Sequence, residues 1–220
     1  MNGFYYGQYT RKLVVAFGAL FNNIYVQTVD NGQTETTRVP LTYAPKEKFV
    51  RRLLEESSIV DNTKIGIRLP QLSFALNDIT VDPARRRNKV NEELFGTVDG
   101  KAKRVLVEVP VNVNFNLYIY TRQITHTLQI IEQIIPYFNP EYILKINFDD
   151  PRQNSSVPLI MMNGIKINER YDGDFGSRRI NMSSIAFVAK SFITAPILET
   201  GTDEMVAQQI IEQLDIDIIV

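Results

Sequence analysis

The chain has 220 residues, 44% of them hydrophobic and 22% charged, with 24 Lys and Arg against 25 Asp and Glu for a formal charge of −1. A chain of this length buries about 70% of its unfolded surface without staples, and the even charge balance argues against a general nucleic-acid binder. Having no cysteine and one histidine excludes disulfides, thiolate metal sites, a cysteine nucleophile and a Ser/His/Asp triad with histidine to spare.

At the start, Arg11 and Lys12 precede an apolar run as in a signal peptide. Aromatic residues fill the charged region, however, and Asn22-Asn23 stand where small cleavage-site residues belong. No run of about 18 apolar residues is present, so the expectation is a soluble protein folded inside the cell, with no membrane contact. The sequons at Asn154 and Asn181 then carry no information.

From Tyr9 to Ile24, Leu13, Phe17, Leu20 and Ile24 recur at spacings of four, three and four, which predicts an amphipathic helix. Gly18 within it costs about 1 kcal/mol relative to Ala and allows a neighbour to approach closely. Strand-like runs at Ile24–Asp30 and Thr34–Thr42 flank Asp30-Asn31-Gly32, a hairpin signal. Pro45 suits the first turn of a second helix. Ile67–Val81 reads as extended, changing phase at Pro70, which predicts an edge position or a bulge there.

Residues 82–104 hold seven basic residues against four acids, with Gly96 and Gly100 as breakers, and read as a long excursion. The strongest strand signal is 105–120, where every odd position from Val105 to Ile119 is apolar and the even ones include Asn112, Asn114 and Asn116. Pro110 is expected to bend it or to end pairing on one side. A helix over 124–138 carries the stripe Ile124, Leu128, Ile131, Ile135 and Phe138, widened by Ile130, Ile134 and Tyr137, and Pro136 ends or kinks it. Strands are expected at 141–148, 157–169 and 178–193, the last two joined across residues 171–177. Residues 199–220, with six acids and no base, suggest a short helix and a terminal strand. The order predicts an α+β fold with an antiparallel or mixed sheet flanked by helices and long extended strands. Residues 1–198 form one domain in this reading and 199–220 an acidic tail.

Chemical signatures are sparse. His126, between two threonines and off the apolar stripe, reads as a solvent-facing polar residue. Asp174-Phe175-Gly176 matches the kinase magnesium motif without its companion segments, and Gly96 with Gly100-Lys101-Ala102 falls one residue short of a phosphate loop. Asp149-Asp150 and Asp172 with Asp174 sit in Pro- or Gly-containing turns, where Asp bonds local backbone; a metal-dependent hydrolase built on them is a remote alternative. Neither cofactor nor metal is expected.

The dense basic cluster Arg85-Arg86-Arg87, with Lys89, fits a solvated loop or a protein interface that meets carboxylates in bidentate geometry, with phosphate contact third. The acidic tail is one possible partner, in the same chain or a neighbour. Tyr5, Tyr6 and Tyr9 are packing residues by residue type and interface residues where exposed.

Several phrases occur in a telling order: "GFYYGQYTRKLVVAFGALFNNIYV", "RVPLTYAPKEKF", "LPQLSFAL", "YIYTRQ", "QIIEQIIPYFNP" and "GDFGSRRI". In that order they resemble the tail sheath stabiliser and completion proteins of T-even-type contractile-tailed bacteriophages, over about residues 3–195. The resemblance implies a tail-terminator fold, a sheet flanked by helices. It also implies a homo-hexameric ring in the virion, assembled in the host cytoplasm. Such a ring caps the tail tube, binds the tail sheath protein and the tube or its terminator protein, and offers a surface to neck and connector proteins. DNA would pass through without specific binding. The alternative within the same organelle is another connector or neck completion protein.

Overall fold

A computed structural model describes residues 6–30, 32–48, 69–87, 93–96, 102–105, 107–148, 156–162, 164–170 and 180–194. In chain order the elements are α1 (Tyr9–Leu20), β1 (Tyr25–Asp30), β2 (Gln33–Arg38), β3 (Leu41–Tyr43), β4 (Gln71–Val81), β5 (Glu93–Gly96) and β6 (Ala102–Val105). They continue with β7 (Val109–Thr121), α2 (Ile124–Ile134), a 3-10 turn (Ile135–Tyr137), β8 (Glu141–Lys145), β9 (Ser156–Met161), β10 (Lys166–Arg170) and β11 (Ile180–Ile193). The chain divides into two compact units, a larger one of Gln8–Thr80 and Val111–Ser191 and a smaller one of Met1–Gly7, Val81–Pro110 and Phe192–Val220.

The larger unit is built on a seven-stranded sheet in the order β3-β4-β7-β11-β9-β8, with β10 also paired to β11. β3 runs parallel to β4, whereas β9 and β10 run antiparallel to β11, so the sheet is mixed and the fold is α+β. The alternation read in the sequence sets the faces of β7. Val111, Val113, Phe115, Leu117 and Ile119 are all buried, while Asn112, Asn114 and Asn116 are half-buried on the other side.

Helix α1 lies on the apolar face because Tyr9, Leu13 and Phe17, spaced by four, bury one side of it. The Phe17 ring stacks on Phe115 at 4.4 Å between centroids, meets Phe187 edge-on at 5.5 Å and tilts against Phe74 at 5.3 Å. Phe21 and Phe138 extend the cluster, each against Phe187. Such pairs add about 0.5–1.5 kcal/mol each beyond the area they bury.

Several boundaries differ from the sequence-based expectation. Helix α1 stops at Leu20, and Ile24 is buried ahead of β1, because the apolar stripe continues through the turn at 21–23. The strand expected over 34–42 is two strands. Val39-Pro40 interrupts it, since Pro has no N–H to donate, and β3 leaves the hairpin to pair with β4. Pro70 stands at the entry of β4 rather than inside a strand, for the same reason. The long strand at 105–120 is divided, Val105 ending β6 and β7 beginning at Val109. The strand at 157–169 is split into β9 and β10, with Gly164 between them at φ 81° in the left-handed region that suits glycine.

Helix α2 is rotated relative to the predicted stripe. Thr127, Ile130, Ile131 and Ile134 face the core, while Ile124, Leu128 and Ile135 are 37%, 44% and 43% exposed. The apolar arc of this helix is wider than the sheet can cover, so one flank stays open. The helix does end before Pro136, in the 3-10 turn.

In the smaller unit, β5 and β6 pair as an antiparallel hairpin, so part of the charged excursion at 82–104 has regular structure. The second helix after Pro45 is seen only in its first turn, at 46–48, and the acidic tail lies outside the described residues. No helix of the described residues is long and apolar enough to cross a membrane.

Candidate interaction surface

The β1–β2 hairpin of the larger unit is held in an unusual way. Its register pairs Tyr25 with Arg38, Gln27 with Thr36 and Val29 with Thr34. Val39 N donates to Ile24 O at 2.9 Å, which fixes the alternation of the ladder. Residues 25, 27 and 29 on β1 and 34, 36 and 38 on β2 therefore turn their backbone groups away from the partner strand.

On the β1 side, helix α2 satisfies those groups with two glutamines. Gln129 Oε1 accepts from Gln27 N at 2.8 Å while its Nε2 donates to Gln27 O at 3.1 Å. Gln133 repeats the pattern on Tyr25, at 3.2 Å and 2.7 Å, and its Nε2 also donates to Gln129 O. The match is geometric: four helical residues rise about 6 Å and two strand residues about 6.7 Å. Each side-chain amide thus imitates one rung of a missing strand. His126, one turn earlier, sets Nε2 3.2 Å from Thr28 Oγ1, so it is half-buried between helix and hairpin rather than solvent-facing.

On the β2 side nothing comparable occurs among the described residues. All six side chains of β2 are exposed, and the two-stranded sheet ends there.

Beside the hairpin, a cleft of about 410 Å³ is lined by Phe21, Ile24, Tyr137, Phe138 and Tyr142 together with Glu132. Tyr137 is 65% exposed. The lining is mostly apolar, with the amides of Asn23 and Gln133 and one carboxylate. Among the described residues no group of three or more His, Cys, Asp or Glu could hold a metal ion. The Asp149-Asp150 and Asp172/Asp174 turns lie outside the described residues, as do the 174–176 motif and Gly100-Lys101.

In the smaller unit, the chain turns at Asp82-Pro83-Ala84-Arg85. Asp82 Oδ1 accepts from Ala84 N at 3.0 Å, and Asp82 Oδ2 accepts from Arg85 Nε at 2.7 Å. The Arg85 hydrogen bond, opposed by desolvation and helped by the Ala84 N–H, holds the Asp82 carboxyl below its usual range. The Arg85 guanidinium also lies 5.2 Å from the centre of the Phe192 ring, a cation–π contact. Arg85 thus has a local structural task, while Arg86 and Arg87 are exposed.

The tyrosines separate. Tyr6 is 54% exposed. Tyr9 is buried against Phe148 at 5.7 Å and belongs to the packed interior of the larger unit, not to its surface. Tyr5 and Lys89 lie outside the described residues. Sequence reasoning missed the glutamine pair. Its signal was present as Gln129 and Gln133 four apart on the polar side of a helix, but the strand they bond is some hundred residues away.

Strand edges, an open helix flank and an apolar cleft are surfaces suited to contact with other chains, and no built reaction centre is found among the described residues. The chain belongs to the family described as T4-like virus Myoviridae tail sheath stabiliser, whose model matches residues 4–219. It is also similar to the tail completion protein gp15 of Enterobacteria phage T4, with 28% identity over 203 residues covering 90% of this chain and 74% of that protein.

Proposed function

We propose that this protein completes the tail of a contractile-tailed bacteriophage as a homo-hexameric ring. The ring caps the tube, holds the uppermost sheath subunits and presents a face to the neck and connector proteins, with DNA passing through its opening. The observation that carries this reading is the family match over nearly the whole chain, 4–219. The exposed hairpin, the open flank of α2 and the apolar cleft support it as surfaces suited to neighbours. A ring follows from repeated head-to-tail contacts that close by rotation, and six weak contacts matched to a six-fold tail add up to firm attachment. The action is adhesion in the virion, after assembly in the host cytoplasm, and involves no reaction step.

Negative-stain microscopy of tails with added protein tests the placement: density is expected at the upper end of the sheathed tube, and density elsewhere or none would overturn the reading. Light scattering on the assembled ring should give about 151 kDa for six 25.2 kDa chains.

A further inference from the structure

The β1–β2 hairpin has two edges, and the structure treats them differently. The β1 edge is closed by Gln129 and Gln133. The β2 edge presents the outward N–H and C=O groups of Thr34, Thr36 and Arg38, and no described strand pairs along it. Exposed edges are ordinarily blunted by charged side chains (lysine above all), proline, a bulge or a covering loop, and β2 carries of these only the opposite charges Glu35 and Arg38. β2 has the sequence Gln-Thr-Glu-Thr-Thr-Arg, with no proline, no lysine and a continuous register to β1. Its threonines favour extended backbone.

We propose that the β2 edge is a docking site for an extended segment of a different polypeptide of the tail, which adds a third strand to the hairpin by main-chain hydrogen bonds. Charge placement argues for a strand of different sequence rather than a second β2. Glu35 and Arg38 lie on opposite faces of β2, because they are an odd number of residues apart. Two copies of β2 paired antiparallel about a two-fold axis set outward residues against outward residues, so even numbers oppose even and odd oppose odd. Glu35 then never faces Arg38: registers centred on either residue set like charges together, and the register centred on Thr36 avoids that but gains no ion pair. The occupant that complements the edge is a strand with a basic side chain facing Glu35 on one side and an acidic one facing Arg38 on the other, three positions apart. The inference rests on the tail-completion reading and adds to it the surface by which the tail is held.

The test uses the full chain and sheathed tails assembled without it. Thr36→Pro removes an outward N–H and leaves the β1 ladder intact. It is expected to keep the wild-type melting temperature within a few degrees, while the fraction co-sedimenting with tails falls about tenfold, the effect of one or two lost hydrogen bonds. Hydrogen exchange on the wild-type protein gives a second readout that needs no variant. The amides of Thr34, Thr36 and Arg38 should exchange fast in the free protein and become protected on tails, whereas those of Tyr25 and Gln27 should be protected in both states. Tail binding by Thr36→Pro equal to wild type, or binding without protection at those three amides, would overturn the inference and leave the tail reading standing. Wild-type protein that ignores tails altogether would overturn the tail reading itself, and the inference with it. Loss of self-association by Thr36→Pro without loss of tail binding would reassign the edge to a second copy and likewise overturn the proposal.

Discussion

Gly18 shows how one residue sets the spacing between elements. A Cβ built there would meet Cζ of Phe74 at 2.9 Å, inside the distance that real contacts keep. The Phe74 ring is buried and also contacts Phe17 and Tyr43, which limits its retreat. Gly18→Ala gains about 1 kcal/mol of helix propensity and pays about 1–3 kcal/mol for overpacking. A net loss of about 1 kcal/mol is expected, read as a lower urea midpoint with an unchanged slope.

Tyr120 makes a second residue-scale prediction. Its ring is buried on the sheet face opposite α1, where Ser73 Oγ donates to its hydroxyl at 3.4 Å. Burial pushes its pKa up to about 12, partly offset by the Ser73 hydrogen bond. An unfolded tyrosine releases its proton near pH 10, so between about pH 10 and 12 the unfolded state holds fewer protons than the native one. The stability Tyr120 confers is fully present below pH 10 and is lost as pH rises toward 12. The melting temperature should fall across that interval, and Tyr120→Phe should flatten the fall. An equal slope in the variant would assign the loss to other groups.

Arg86 and Arg85 call for different experiments. Arg85→Glu would set a carboxylate against Asp82 and remove the contact with Phe192, so any loss of assembly would be confounded with loss of the turn. Arg86 is exposed, and only its backbone N–H is bound into the turn, to Pro83 O. Arg86→Glu is expected to change stability by no more than about 0.5 kcal/mol while weakening attachment to tails. Unchanged attachment would make the basic cluster a solvated loop.

At the scale of elements, the telling case is the contact between α2 and β1. Two glutamines replace what a strand would otherwise supply, and together they make four backbone-directed hydrogen bonds to Tyr25 and Gln27. All four are solvent-exposed and so belong at the low end of about 0.5–1.5 kcal/mol each; replacing both by alanine is expected to cost about 2–3 kcal/mol and to raise exchange at the Tyr25 and Gln27 amides before global unfolding. If those amides kept their protection, the hairpin would be held by something other than the clamp. The rotation of α2 belongs to the same scale. A helix with apolar residues around half its circumference has no unique inward face in sequence, and here the polar reach of Gln129 and Gln133 toward β1 sets the angle. The flank with Ile124, Leu128 and Ile135 is left open as a consequence.

For the whole molecule, the two units carry different surfaces. The larger one has the mixed sheet, the aromatic cluster and the clamped hairpin, while the smaller one has the basic turn and a short hairpin of its own. The chain's family is that of the tail sheath stabilisers, and in the function proposed for it these surfaces are the places where it meets its neighbours.

Local periodicity determined the inward face of β7 and the apolar side of α1, turn residues determined the hairpin between β1 and β2, and the order of elements determined the α+β class. The first three depend on residues within a few positions of one another, and the run of family phrases added the organelle. Tertiary structure decided which flank of α2 is buried, where the strands at 34–42, 105–120 and 157–169 break, that Tyr9 turns inward, and that β1 is capped while β2 is open. Those outcomes depend on partners far along the chain, such as Gln133 with Tyr25, 108 positions apart, and no spacing rule within a segment encodes the side chain that will reach it from elsewhere.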